Sequence, residues 1–218
     1  MDLGFDQNCL NQCVAERMNY ALSAEAVQSE DALLVRSIKE LPLKIDEHCS
    51  LQLFTPTDAS ELFNLVEENR HYLRKWLPWL DNTKSIKDIE NFISISNKNL
   101  SENKSVVLSI KYNNDIVGVI SFHTIDWRLK ETAIGYWLAE NYQGKGIITN
   151  ACRQLLAFCF SKLKLKRVNI SCAKENKKSI SVVERVGFKY LKEVENYQWL
   201  YDYYVDHVFF SMENPTTS

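Results

Sequence analysis

The segment Tyr142-Gln143-Gly144-Lys145-Gly146-Ile147-Ile148-Thr149 has residue types and spacing suited to chemistry, with two of the chain's six glycines two positions apart. An apolar, strand-like run, Ala133-Ile134-Gly135-Tyr136-Trp137-Leu138-Ala139, precedes it, and a helix-like run from about 146 to 163 follows. A glycine turn between a strand and a helix N-terminus can aim main-chain N–H groups at an anion. Glycine also lets the backbone approach a phosphate with no Cβ in the way. The chemistry expected of this turn is therefore phosphate binding.

Two common nucleotide motifs fail on spacing. A P-loop has four residues between its glycines and then Lys-Ser/Thr, and this chain has neither. The dinucleotide fingerprint places a third glycine three positions after the second; here Thr149 stands there. A Gly-x-Gly pair by itself also describes a plain turn that starts a helix, because so short a motif is unspecific.

The surrounding pattern supplies the elements that must position this turn. Residues 50–54 alternate like a strand. Thr55-Pro56-Thr57-Asp58 reads as a turn and helix start, with Asp58 and Glu61 resembling a capping box. That helix is expected to run to about 69. A short aromatic helix over 72–80 is expected to stop at Pro78, and another helix to span about 85–100. Strands are expected over 104–112 and 115–123, joined by Asn113-Asn114, residues that tolerate a left-handed hairpin turn. Then come strand 132–139, the glycine turn, helix 146–163, a strand over Arg167–Ala173 and a helix over Lys177–Val186 with Gly187 as its C-cap glycine. Strands over 188–194 and 204–212 close the chain. This order predicts a mixed α/β layer fold around one sheet, without internal repeats.

A hydrophobic content of 45% and a charged content of 25% predict an ordinary globular protein. No stretch approaches the roughly 20 apolar residues that cross a bilayer, and the first residues lack the pattern of a signal peptide. The six cysteines (9, 13, 49, 152, 159 and 172) show no zinc-ligand spacing with histidine. A reduced, cytoplasmic protein with no metal, no disulfide framework and no membrane segment is expected. A net charge of −2 argues against a broad nucleic-acid footprint. Residues 1–42 carry three basic and seven acidic residues, whereas 43–218 carry 23 and 21. That shift, with Pro42 at its edge, predicts an N-terminal extension over 1–42, helical around 21–41 or mobile, before a domain over 43–218.

The order of elements, Gln143-x-x-Gly146, and Asn176-x-x-Ser179 followed by Arg185-Val186-Gly187-Phe188 resemble the GNAT superfamily of acyl-CoA-dependent N-acetyltransferases. Leu73-Arg74-Lys75-Trp76-Leu77-Pro78-Trp79 and Ile134-Gly135-Tyr136-Trp137 are similar to the ribosomal-protein N-acetyltransferase branch, within it the ribosomal-protein-serine acetyltransferases. The resemblance covers about residues 43–212. It implies a GNAT-type fold with a splayed central sheet flanked by helices, acetyl-CoA as acyl donor and no metal. Gln143, Gly144, Lys145, Gly146, Ile147, Ile148 and Thr149 would hold the coenzyme A pyrophosphate, with Lys145 adding a screened cation. The family pattern has a small residue where this chain has Ile148. Strands 132–139 and 167–173 would part so that the pantetheine arm pairs with their edges.

The resemblance further implies that Asn176 contacts the cofactor arm and that Ser179 protonates the leaving thiolate. Asn176 also fits a helix N-cap, and Ser179 a solvated first-turn serine. An N–H near Leu138 would polarise the thioester carbonyl. Relatives often carry Glu where this chain has Ala133, so the general base is open among Glu131, His123 and an ordered water, with Asp206 a structural match. Tyr72, Trp76, Trp79 and Tyr136 would line the acceptor site, facing a loop over 195–204; these aromatics also fit plain core packing, and the loop a hairpin edge. The implied acceptor is a protein N-terminal α-amine, as of a ribosomal protein, which at a pKa of about 8 demands less of a base than lysine at about 10.4. A polyamine, an antibiotic or another small amine is the alternative acceptor, and a non-catalytic acyl-CoA-binding protein the alternative class. The protein is expected to act as a monomer or homodimer.

Overall fold

The strand-forming runs assemble into one eight-stranded sheet in the computed structural model, which describes residues 33–38 and 41–215. In chain order the elements are α1 (Leu33–Ser37), β1 (Leu43–Lys44), β2 (Cys49–Leu53), α2 (Ala59–Leu73), α3 (Ile86–Ser101), β3 (Val106–Tyr112), β4 (Asp115–Phe122), β5 (Glu131–Leu138), α4 (Ile147–Ser161), β6 (Arg167–Ala173), α5 (Lys177–Val186), β7 (Lys189–Leu200) and β8 (Tyr203–Glu213). The spatial order is β1-β2-β3-β4-β5-β6-β8-β7. Every neighbouring pair is antiparallel except β5–β6. A parallel pair requires a long crossover, and α4 supplies it.

The β5–β6 seam is short. It consists of the pairs Glu131↔Arg167, Thr132↔Val168 and Ala133↔Asn169. Beyond them β5 stays on β4 up to Leu138 while β6 stays on β8 up to Ala173, so the two strands part. Hydrogen-bond alternation decides what faces the gap. Ala133 O accepts from His123 N, and Ala139 N donates to Val117 O. The odd-numbered residues of β5 thus belong to the β4 ladder, and the main-chain groups of Ile134, Tyr136 and Leu138 turn toward the gap. On β6, Lys174 N donates to Asp206 O, so the main-chain groups of Ser171 and Ala173 turn the same way.

Side chains alternate between the sheet's faces. Ala133, Gly135, Trp137, Ser171 and, through the β8 register, His207 share one face; Ile134, Tyr136, Leu138 and Cys172 share the other. Each face has its own core. Ile134, Leu138, Ile148, Leu155, Ile170 and Val183 pack under α4 and α5. Leu62, Val66, Trp79, Ile93, Val119 and Trp137 pack under α2 and α3. Leu34 of α1 is fully buried in the first cluster, and its N–H donates to Asn103 Oδ1 at 2.9 Å. The rest of the helix predicted around 21–41 lies outside the described residues, apart from Ile38 and Leu41, which pack on the same core.

Three expectations differ from the structure. The helix break expected near 69 is absent: the buried positions Leu62, Val66 and Leu73 extend the apolar stripe of α2 to Leu73. Residues 74–79 then form turns, because Pro78 bars a helix, and the Arg70 guanidinium holds the loop through Leu80 O and Thr83 O. The capping box at 55–58 is headed by Thr55, whose N–H and hydroxyl both donate to Asp58. Glu61, the expected partner, instead accepts Ile116 N of β4. The loop expected over 195–204 is a hairpin, β7 running on to Leu200 with bulges and reversing at Tyr201-Asp202. No Gly, Pro or Asn marks that turn, which is why the sequence concealed it; Tyr201 takes the left-handed φ of 64°.

Candidate active site

One cavity of ≈ 1070 Å³ follows the gap between β5 and β6. At one end it meets the glycine turn. Gly144 and Gly146 take φ of 75° and 76°, conformations that side chains with a Cβ adopt at a cost. Gly146 is the N-cap of α4, so no side chain caps that helix, and no acidic residue lies in its first turn. The first intrahelical bond is Asn150 N to Gly146 O, which leaves the N–H groups of Ile147, Ile148 and Thr149 as the helix's free donors. An anion placed here meets three amides and the positive helix end.

Of the predicted turn residues, Gln143, Gly144, Gly146, Ile147, Ile148 and Thr149 line this end of the cavity. Lys145 does not: its ammonium lies over the Tyr142 ring, 4.9 Å from the centroid, and 5.7 Å from that of Tyr112. The cations that do line the site are Arg153, Lys178 and Arg185, which the sequence reading missed. Arg185 donates to Thr149 Oγ1 at 3.2 Å, Arg153 to Arg185 O at 3.3 Å, and Lys178 to Gln143 Oε1 at 2.9 Å. Ile148 is 8% exposed and packs in the core, so the step where the family pattern has a small residue is filled by a side chain facing inward.

Further along the gap stand Tyr136 and Ser179. The Tyr136 hydroxyl lies 2.9 Å from Ser179 Oγ, which is 3.1 Å from Cys172 Sγ. Burial holds the Tyr136 phenol far above its ordinary pKa, with Cys152 and Cys172 adding to the rise, and lifts the Cys172 thiol to about 11. Tyr136 therefore stays a proton donor at neutral pH. Tyr136 is expected on the acceptor wall; alternation along β5 puts it on the face opposite Trp137, beside Ser179. Asn176 lines the cavity and caps α5, its Oδ1 accepting Ser179 N at 3.1 Å. It holds the backbone that carries the Ser179 hydroxyl. Asn176→Ala is expected to cost about 1 kcal/mol of stability, as loss of an N-cap does, while Asn176→Asp retains it; thermal unfolding of the two variants checks this.

The other face carries His123, Gly135, Trp137, Ser171 and His207. His123 is half-buried, and its ring lies so close over Gly135 that a Cβ there would stand 2.9 Å from Nε2. His207 is 8% exposed, with Nδ1 3.4 Å from Ser171 Oγ and Nε2 3.2 Å from Gln198 Oε1. Burial lowers both imidazoles to about 4, against an opposing pull from Asp206 on His207. Both are neutral near pH 7. Ser171, Gln198, Tyr197 and His207 were not singled out in the sequence, because the bulged β7 that brings them together had no visible end signal.

Glu131, the other predicted base, is not brought to the cavity. It sits at the closed end of the seam, 3.5 Å from the Arg167 guanidinium, while the gap opens beyond Ala133. Asp206 accepts Asn196 N at 2.8 Å and so ties down the β7 bulge, a structural task. Trp76 and Trp79 line the cavity, although Trp79 is largely core, with its ring 6.4 Å from that of Trp137. Tyr72 sits nearer the glycine turn, where its burial-raised phenol meets the Gln143 side chain. The hairpin closes the opposite wall: the Tyr201 hydroxyl donates to Leu77 O, and Arg74 lies 3.8 Å over the Tyr201 ring.

The profile of the acetyltransferase (GNAT) domain family matches residues 49–189. The chain is 37% identical over 146 residues to the "Putative ribosomal N-acetyltransferase YdaF" of Bacillus subtilis (strain 168), covering 66% of this chain and 80% of that protein. It is 28% identical over 164 residues to the ribosomal-protein-serine acetyltransferase of Escherichia coli (strain K12), covering 75% and 92%. The crystal structure of the microcin C7 self immunity acetyltransferase MccE in complex with acetyl-CoA and AMP superposes with a TM-score of 0.78 at 32% identity, covering 82% of this chain and 99% of that one.

Proposed function

This chain belongs to the GNAT acetyltransferase family, and on that premise we propose that it moves the acetyl group of acetyl-CoA onto the N-terminal α-amine of a protein, a ribosomal protein being the favoured class. The observation that carries the reading is the continuity of one cavity from the uncapped N-terminus of α4 to the parted edges of β5 and β6. The diphosphate is held by the amides of 147–149 with Arg153, Lys178 and Arg185. The pantetheine arm runs along the main-chain groups of β5 and β6 that the splay leaves unpaired, as an added strand would. The thioester then lies beside Tyr136 and Ser179, with Leu138 N–H turned toward its carbonyl oxygen.

The amine attacks the carbonyl carbon from the face that carries His123 and His207. The thiolate leaves on the opposite face, where the Tyr136–Ser179 pair supplies a proton. Asn176 acts through the position of Ser179, and Trp76 and Trp79 form the acceptor wall.

The acceptor's class follows from charge. Glu140 is the sole carboxylate among the described lining residues. A polyamine carries several cations that an acidic groove would hold; this one offers aromatic and neutral groups. Relatives named for ribosomal-protein acetylation support a protein terminus. The likeness to a microcin self immunity acetyltransferase bound to AMP favours a second reading, a small amine on a nucleotide-like carrier. Free buried thiols at Cys49, Cys152, Cys159 and Cys172 fit a reducing, cytoplasmic setting, and no helix among the described residues is long and apolar enough to cross a membrane.

Thiol release from acetyl-CoA against a panel of acceptors tests the reading. Turnover on peptides starting with Ser or Ala is expected. Turnover confined to small amines transfers the assignment to the second reading, and tight acetyl-CoA binding with no acceptor at all removes both.

A further inference from the structure

Strand β6 presents two different chemistries on its two faces. Cys172 points toward Tyr136 and Ser179, the side from which a thiolate would be protonated. Its neighbour Ser171 points the other way, at the lip of the gap, where the amine approaches. There its hydroxyl meets His207 Nδ1, and His207 Nε2 meets Gln198 Oε1. The amide oxygen of Gln198 is an acceptor, so it fixes the Nε2–H tautomer and leaves Nδ1 bare. The bare Nδ1 takes the Ser171 hydroxyl proton, and the lone pairs of Ser171 Oγ are left to accept from a ligand in the cavity.

We propose that Ser171 and His207, oriented by Gln198, form the relay that removes the proton from the attacking amine. The inference rests on the acetyl-transfer reading above. As the C–N bond forms, the carbonyl π pair moves to oxygen and nitrogen becomes positive. Its N–H proton passes to Ser171 Oγ while the Ser171 hydroxyl proton passes to His207 Nδ1, so Ser171 is unchanged in charge. The oxygen pair then re-forms the C=O bond as the C–S bond breaks with its electron pair on sulfur, which takes a proton from the Tyr136–Ser179 pair. His207 gives its extra proton to water, and the Tyr136–Ser179 pair regains one.

His123 stands on the same face but has no such arrangement: no described residue forms a hydrogen bond with its ring, which is held by packing against Gly135. Around His207 the titratable and charged groups are Asp206 on β8, Tyr197 on β7 at a ring distance of 5.0 Å, and the Lys174–Glu193 ion pair joining β6 to β7. His123 lies across the gap. Each of these groups except Asp206 is neutral or internally paired, so a carboxylate introduced at 198 acts chiefly on His207.

The test is the pH dependence of kcat with saturating acetyl-CoA and a peptide acceptor. Ser171→Ala and His207→Gln are expected to lower kcat by about 10–100-fold, at or below the usual range for general-base loss, with the KM for acetyl-CoA within about 2-fold. Ser171→Thr keeps the hydroxyl and is expected to restore most of the rate. The decisive variant is Gln198→Glu: a carboxylate on Nε2 raises an imidazole by about one unit or more, so the acid limb of kcat moves up by that amount. A merely structural role would not move it. The relay is overturned if Ser171→Ala keeps the wild-type kcat, if the acid limb of Gln198→Glu stays in place, or if His123→Gln alone reproduces the loss. Absence of thiol release by the wild type with every acceptor instead removes the acetyl-transfer reading itself.

Discussion

Gly146→Glu is expected to weaken acetyl-CoA binding by at least about 100-fold, roughly 3 kcal/mol, while leaving the fold intact. Nothing lies within 4 Å of a Cβ built at Gly146, so the first atom of a new side chain meets open space. It places a carboxylate at the mouth of the α4 amides, in competition with the diphosphate they would hold. The φ of 76° makes any side chain there strained by about 1–2 kcal/mol. For a chain of this size that lowers Tm by roughly 2–8 °C. Gly146→Ala carries the same strain without the charge, and its loss of affinity is expected to stay within about tenfold. Calorimetric titration with acetyl-CoA, beside circular dichroism, measures both terms. Wild-type affinity in the glutamate variant would remove the anion site from this turn.

Tyr136→Phe is expected to lower kcat by about 100-fold or more, the usual scale for losing a positioned proton donor. The removed hydroxyl leaves Ser179 Oγ with Cys172 as its remaining close partner. Loss of one such hydrogen bond costs about 1 kcal/mol of stability, so the variant should fold. The KM for acetyl-CoA is expected to change little, because the diphosphate and arm contacts lie elsewhere in the cavity. Ser179→Ala tests whether the serine passes the proton on: if it does, the double variant is no slower than Tyr136→Phe alone, because two members of one chain fail together. Burial keeps the wild-type phenol protonated above its ordinary pKa of about 10. The wild-type rate should therefore show no alkaline loss from this group below about pH 10. Unchanged kcat in Tyr136→Phe would move the acid elsewhere.

Much of the architecture was legible in the chain because short-range rules decide it. Alternation in 50–54, 104–112 and 167–173 needs one buried face, and strands form there. Asn113 and Asn114 tolerate positive φ, and they take it, at 50° and 74°. The helix expected from about 85 begins there, with Ser85 and Asp88 forming its capping box. Gly144 and Gly146 between a strand and a helix do form a turn, with φ of 75° and 76°, that leads into α4. Where a local rule had a competitor, the sequence was ambiguous. Asp58 could head a capping box with Glu61 or close one headed by Thr55; it accepts from Thr55, while Glu61 accepts Ile116 N instead. The aromatic run 72–80 reads as a helix until Pro78 and the grip of Arg70 make it a loop.

The sequence by itself therefore determined the strands, the helices and the glycine turn proposed to hold an anion, since each depends on neighbours a few positions away. Only the tertiary structure decided which side chains share a site. The parting of β5 and β6 after Ala133 and Asn169 is a property of two strands about 36 residues apart, and no local pattern records it. That parting strands Glu131 at the closed end with Arg167 and opens the gap beside Tyr136, which alternation along β5 had already set on the face opposite Trp137. Along the same cavity stand Arg153, Lys178 and Arg185 near the glycine turn, and Ser171, Gln198 and His207 on the face of Trp137. The reason is physical: main-chain conformation is set by local sterics and hydrogen bonding, whereas a reactive site is set by which faces long-range pairing turns toward one another.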